Sequence, residues 1–219
     1  MNHPRNCLSA ACLFAILATP AGATSGTGNA SEPAAPAGPS WQLEWDSRLR
    51  HEQVDDDAFA RNAHADTLRL RLGLHAEFGH GWSGLAEGAG VASAGDRYNS
   101  GANGRVLYPA VTDPRGSEFN QYWLRWQGDR FGATAGRQRL LLDNQRWVGN
   151  SGWRQHEQTF DSISAVNTSI PGLALTYAYL YRVNRIGGPA IPLPANIAAS
   201  ATGLANYFKS NSHVMDAVY

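Results

Sequence analysis

The sequence predicts an all-β fold: an antiparallel transmembrane β-barrel, present here as an incomplete barrel wall of about eight strands. Three observations carry that prediction. Hydrophobic residues recur with period two, the connections between segments alternate long and short, and the chain opens on an export leader.

The leader occupies residues 1–23. Arg5 supplies its positive end, Leu8 to Ala18 its apolar run, and Ala21-Gly22-Ala23 its small-residue cleavage site. Both cysteines, Cys7 and Cys12, fall inside it, so the rest of the chain has none. That excludes disulfide scaffolds, thiol catalysis and cysteine-ligated zinc. Residues 24–40 are rich in Ala, Pro, Gly and Ser and read as a disordered lead-in. Residues 41–219 form the barrel domain. The longest apolar run beyond the leader, Leu173 to Tyr181, is nine residues, against the ~20 a transmembrane helix needs. Formal net charge is zero, which gives no basic face for nucleic acid. Only 16% of residues are charged, and 17 of the 18 Lys and Arg residues are arginine, Lys209 being the exception.

The first segment, Trp41 to Glu52, puts Trp41, Leu43, Trp45 and Leu49 on one parity and Gln42, Glu44, Asp46, Arg48, Arg50 and Glu52 on the other. The second, Leu68 to Phe78, alternates Leu68, Leu70, Leu72 and Leu74 with Arg69, Arg71, Gly73, His75 and Glu77. A strand sends alternate side chains to opposite faces, so each segment has an apolar and a charged face. Gly79-His80-Gly81 turns into a third strand, Trp82 to Ala92, whose Gly/Ala content leaves its facing ambiguous. A fourth runs from Glu118 to Gln127 with Tyr122, Leu124 and Trp126 on one face. A fifth follows over Phe131 to Arg139, and a sixth lies near Gln158 to Asn167. The seventh, Leu173 to Val183, aligns Tyr177, Tyr179 and Tyr181 as lipid-facing or girdle residues, and the eighth begins near Ser212.

Long connections span 53–66, 93–117, 140–157 and 185–211; short ones span 79–81, 128–130 and 168–172. That is the rhythm of extracellular loops and periplasmic turns. Trp41, Trp82, Trp126 and Tyr181 fall at strand ends, where interfacial aromatics sit. A periplasmic or secreted carbohydrate-binding β-sandwich is the alternative, because it too alternates apolar and polar positions.

The run from Gly136 to Asp161, with Asn103-Gly104-Arg105, Tyr108-Pro109, Asp113-Pro114 and Glu118 to Trp126 upstream, resembles the alginate export family of bacterial outer-membrane β-barrels. Pro171-Gly172-Leu173, Tyr177-Ala178-Tyr179 and Val183-Asn184-Arg185 resemble its following hairpin. The resemblance covers residues 41–219 and implies a larger barrel, of roughly sixteen or more strands, with an arginine-rich lumen that exports the polyuronate alginate or passes related solutes. A barrel of that size needs about twice this length, so the chain reads as its N-terminal part, with the first strand not paired to the eighth.

The expected function is therefore an outer-membrane channel for an anionic polysaccharide or smaller solutes, not an enzyme, without cofactor. Its partners are outer-membrane lipid, the transported solute and the outer-membrane assembly machinery, and no nucleic acid. Arginine suits such a pore because its charge does not titrate and its planar donors match carboxylates. Arg48, Arg50, Arg69 and Arg71 form a ladder on the charged parity, Arg125 lies on the less apolar face of its strand, and Arg137, Arg139, Arg146 and Arg154 lie in or beside the family-like block. Glu44, Asp46, Glu52 and Glu77 would orient these cations or pair with them to brace the wall, and Trp123 would stack on sugar rings or fill space. The leucines should face lipid and the arginines the lumen. Asp55-Asp56-Asp57 lacks EF-hand spacing, no His pair has zinc spacing, and no G-x-S-x-G occurs.

Overall fold

The computed structural model describes residues 38–191 and 207–219. The leader and nearly all of the lead-in lie outside the described residues. Eight strands follow in order: β1 (Ser40–Val54), β2 (Ala63–Gly79), β3 (Trp82–Ser93), β4 (Gly116–Gln127), β5 (Phe131–Gln138), β6 (Thr159–Asn167), β7 (Ala174–Asn184) and β8 (Tyr207–Val218). They form one sheet in chain order, every neighbouring pair antiparallel. β1 pairs with β2 and β8 with β7, so the sheet is open and is not a closed barrel. A sandwich needs two packed sheets; the described residues make one, and no helix.

Two strands begin about five residues earlier than the sequence pattern suggests. β2 starts at Ala63 rather than Leu68, because Ala63 and Ala65 pack beneath Tyr98 and Val111 of the β3–β4 loop, with Val54 beside them. Small residues under a loop carry no hydrophobic alternation to read. β8 starts at Tyr207 rather than Ser212, prolonged by a bulge opposite Leu180 and Arg182.

The burial of the sheet is inverted relative to a water-soluble one. Along β2, Arg69 is 1% exposed and Arg71 6%, while Leu68, Leu70, Leu72 and Leu74 are 48%, 45%, 52% and 45% exposed. The register carries this across strands. Leu43 pairs with Leu74, Trp45 with Leu72 and Leu49 with Leu68, all on the exposed face. Arg48 pairs with Arg69 and Asp46 with Arg71 on the other. Leu175 and Tyr177 extend the exposed apolar face at β7, and Leu173 lies half-buried in the turn before it.

The β3–β4 and β5–β6 loops fold over the charged face. The β3–β4 loop is tied to itself by Arg105, whose hydrogen bond to Asp96 holds that carboxyl below the usual carboxylate range. The β5–β6 loop seats Leu140 and Val148 on Phe160, Ala178, Leu180, Val183 and Val214. At the opposite end of the strands, the β2–β3 turn has positive φ at Gly79, His80 and Gly81. Gly81 also abuts the next turn: a Cβ there would lie 2.2 Å from the Gln127 carbonyl oxygen, and Gln127 N–H donates to the Gly81 carbonyl at 2.8 Å. Gly81→Ala should therefore cost about 1–3 kcal/mol from the left-handed backbone alone, with more from the clash. A urea-unfolding midpoint measured against Gly90→Ala, where a Cβ meets nothing within 4 Å, isolates the effect.

Candidate functional site

Even-numbered positions of β1 and odd-numbered positions of β2 share the charged face, which brings together Glu44, Asp46, Arg48, Arg50, Glu52, Arg69, Arg71 and Glu77. The β5–β6 loop lies across them. It leaves β5, yet Arg48 of β1 donates from Nη1 to the carbonyl oxygens of Gly152 at 2.7 Å and Arg154 at 3.2 Å. Strands stand about 4.8 Å apart, so the loop crosses about 19 Å of sheet. Gln155, fully buried, donates from Nε2 to Oγ1 of Thr67 at 2.8 Å.

Glu157, 2% exposed, is the hub of this arrangement. Its Oε1 accepts from Asn120 at 2.5 Å and from Arg139 at 2.6 Å, and its Oε2 accepts from Asn150 at 2.8 Å. Arg71 Nη2 stands 3.3 Å from Oε1, a charge contact without hydrogen-bond alignment. Glu87 adds a second buried carboxylate, reached by Asn120 at 2.5 Å, Gln121 at 3.2 Å and Arg139 at 3.3 Å. A bulge at Glu87/Gly88 turns Asn120 and Gln121 inward together and leaves Phe119 and Tyr122 outside. Asp113, fully buried, accepts from Arg50 and from the backbone N–H of Gln155, joining the two long loops. His156 meets the Glu118 carboxylate at 2.7 Å and the Pro114 carbonyl at 3.1 Å.

The cations are not fully spent on these partners. Arg69 pairs with Asp46, yet its Nε and Nη1 are buried without an acceptor, as are Nε and Nη2 of Arg71 and Nε and Nη1 of Arg154. Burial lowers the affinity of Arg154 for its proton, against the pull of Asp113 and Glu52; an arginine stays cationic all the same. Buried guanidinium donors without acceptors are costly, and they favour any carboxylate or water that reaches them.

The other expected site residues fall as follows. Arg125 lies on the same face, donates to Thr134 at 3.1 Å and stacks over Trp123 at 4.7 Å; Trp123 also meets His75. Arg139 and Arg154 belong to the network. Arg146 is exposed in the loop over Trp147. Arg137 departs from the expected grouping: its register with Tyr122 and Asp161 puts it on the face of the leucines. Four carboxylate or amide members, Glu157, Glu87, Asn120 and Asp113, were not singled out from the sequence. Glu87 carried a signal, as the lone charge in a Gly/Ala strand, and Glu157 and Asp113 lay inside the quoted family-like runs. Among the described residues, no three His, Cys, Asp or Glu side chains converge on a metal-holding geometry.

Removing the hub's charge tests the arrangement. Glu157→Gln leaves buried Arg71 without its nearest carboxylate and half-buried Arg139 with Glu87 alone, a loss of about 3–5 kcal/mol when one partner of a buried pair is removed. Expressed in opening of the loop, that is roughly 100-fold or more faster tryptic cleavage after Arg146 and Arg154. Cleavage at the unaltered rate would mean that the loop is held by its apolar anchor at Leu140 and Val148 alone.

No family model matches the chain, and no curated protein sequence matches it.

Proposed function

We propose that this chain forms part of the wall of an outer-membrane channel that passes anionic polysaccharide, an alginate-like polyuronate, or related anionic solutes, in the manner its resemblance to the alginate export family implies. The observation that carries the reading is the inversion of the sheet: leucines on the exposed face, arginines buried on the other. In water, exposing a continuous row of leucines while burying guanidinium groups is unfavourable on both counts. In a barrel wall the exposed row meets lipid and the charged face meets a wet lumen, so the arrangement becomes favourable on both.

The chemistry of the charged face supports the selectivity. Arg48, Arg69, Arg71 and Arg154 present donors beyond those taken by Asp46, Glu157 and backbone carbonyls. With Arg69 and Arg71 buried beneath the β5–β6 loop, their positive field rather than direct contact would draw sugar carboxylates along the face, and fixed acids beside them limit the hold. The β5–β6 loop, lying on that face, narrows whatever passage the wall encloses. No reaction and no cofactor is involved.

The test is physical. The chain should require detergent for extraction and migrate differently on a gel with and without heating, as folded barrel proteins do. A chain recovered in aqueous buffer without detergent, at one mobility, would overturn the reading.

A further inference from the structure

One register row of the exposed face changes chemistry along its length. It starts at Leu43 and Leu74, passes Ala86 and Tyr122, and ends on Arg137, Asp161, Arg182 and Lys209. Asp161 is held by Arg137 Nε at 2.7 Å and Asn184 Nδ2 at 2.9 Å, with Arg182 Nε at 3.4 Å. Asp161 thus contacts two guanidiniums, and Lys209, in register with Arg182, brings the local excess to two positive charges at this end of the row. Aromatic rings back the guanidiniums: Arg137 lies 5.1 Å over Tyr122 and Arg182 3.8 Å over Tyr207, with Tyr181 exposed beside them. Arg137 is the next-to-last residue of β5, Arg182 lies two residues from the end of β7, and Lys209 two from the start of β8. All stand at the long-loop ends of their strands. Arg137 spends all three nitrogens on Asp161 and the Phe119 carbonyl, whereas Arg182, 35% exposed and stacked on Tyr207, has only its Nε contact to Asp161 among the described residues and keeps its Nη donors for an anion at its edge.

We infer that Arg182 and Lys209, beside the positive charge of Arg137, bind the phosphate-bearing headgroup of a membrane lipid at the long-loop rim of the sheet, its acyl chains lying on the apolar face below. The inference rests on the membrane-wall reading above. Asp161 and Asn184 preset the two guanidiniums, Lys209 adds a third charge, and the tyrosines supply the amphipathic border that headgroups meet. A purely structural clamp for Asp161 needs only Arg137 and Asn184; it gives no role to Arg182 beyond a 3.4 Å contact, nor to Lys209.

The test uses the full chain in neutral-detergent micelles, titrated with a short-chain phosphatidic acid and, in parallel, with phosphatidylcholine of the same chains and with inorganic phosphate. Phosphatidic acid should bind at least tenfold tighter than phosphatidylcholine, and inorganic phosphate should compete only at a hundredfold or greater excess. Arg182→Gln with Lys209→Gln should weaken phosphatidic acid binding at least tenfold. Arg182→Lys should stay within threefold of the parent, and Arg115→Gln with Arg130→Gln, which removes two charges elsewhere, should leave binding unchanged. Gel migration before and after heating confirms that each variant folds. Equal binding of the two lipids, displacement by phosphate mole for mole, or equal binding by the Arg182/Lys209 variant would each overturn the inference. A chain that needs no detergent would fail the membrane reading itself, whereas a detergent-requiring chain indifferent to the headgroup fails only this inference.

Discussion

Replacing Leu70 and Leu72 together by arginine is expected to abolish stable assembly in bilayers. Both side chains stand on the exposed face, at 45% and 52% exposure, in the middle of the long strand β2. An arginine on the lipid face near the midplane costs about 2–4 kcal/mol in a barrel wall. Two of them take roughly 4–8 kcal/mol, comparable to the ~5–15 kcal/mol that holds an ordinary domain together. The same double substitution distinguishes the environments sharply. On a water-facing surface, exchanging exposed leucines for arginines changes stability by about 0.5 kcal/mol or less each and improves solubility. The readouts are the fraction of chain that resists heat-free denaturation on a gel and the urea midpoint in lipid vesicles. A variant that folds like the parent and stays in solution without detergent would place these leucines in water and end the channel reading.

The strands were legible because β1 and β2 set large apolar residues against polar ones at nearly every second position, because β4 and β7 carry large residues at Tyr122, Leu124 and Trp126 and at Leu175, Tyr177 and Tyr179, and because glycine-rich turns separate them. Facing was legible on β1 and β2 for the same reason, and on β4 and β7 up to their bulges. It failed where side-chain contrast was low. β5 reads Phe131, Gly132, Ala133, Thr134, Ala135, Gly136, Arg137, and nothing local says that Arg137 follows Phe131 rather than Thr134. β3 hid the inward Glu87 among glycines and alanines. Bulges were also silent: alternation assigns Asn120 and Gln121 to opposite faces, whereas the bulge opposite Glu87 and Gly88 turns both inward. The crossing of the β5–β6 loop had no local trace at all. Arg48 and Gly152 are 104 residues apart, and a contact of that range leaves no periodicity. The ladder of arginines was visible from spacing; its carboxylate partners on the loop were not, because their role depends on where the loop lands.

Those partners sharpen what replacing the ladder should do. Arg69→Ala with Arg71→Ala is expected to turn the ion preference of the assembled channel from anions toward cations, by on the order of tenfold in permeability ratio. Tenfold is ~1.4 kcal/mol, modest beside the ~4 kcal/mol of a unit charge at 4 Å in an effective dielectric of about 20. The substitution removes the cations but leaves Asp46, Glu87 and Glu157 in place, so the sign of the local field reverses as well as its size. The sequence alone suggests a fully wet ladder whose effect fades with salt, since the Debye length falls from ~10 Å at 0.1 M to ~3 Å at 1 M. The buried positions of Arg69 and Arg71 alter that expectation: charges beneath a loop are screened less, and the shift should persist in large part at 1 M. Reversal potentials across a planar bilayer measure both features. Glu157→Gln provides the contrast, since freeing the loop should raise conductance without turning the preference toward cations. If the double arginine variant keeps the parent's preference and only its conductance rises, Arg69 and Arg71 brace the wall through Asp46 and Glu157, and the selection of anions lies elsewhere on the face.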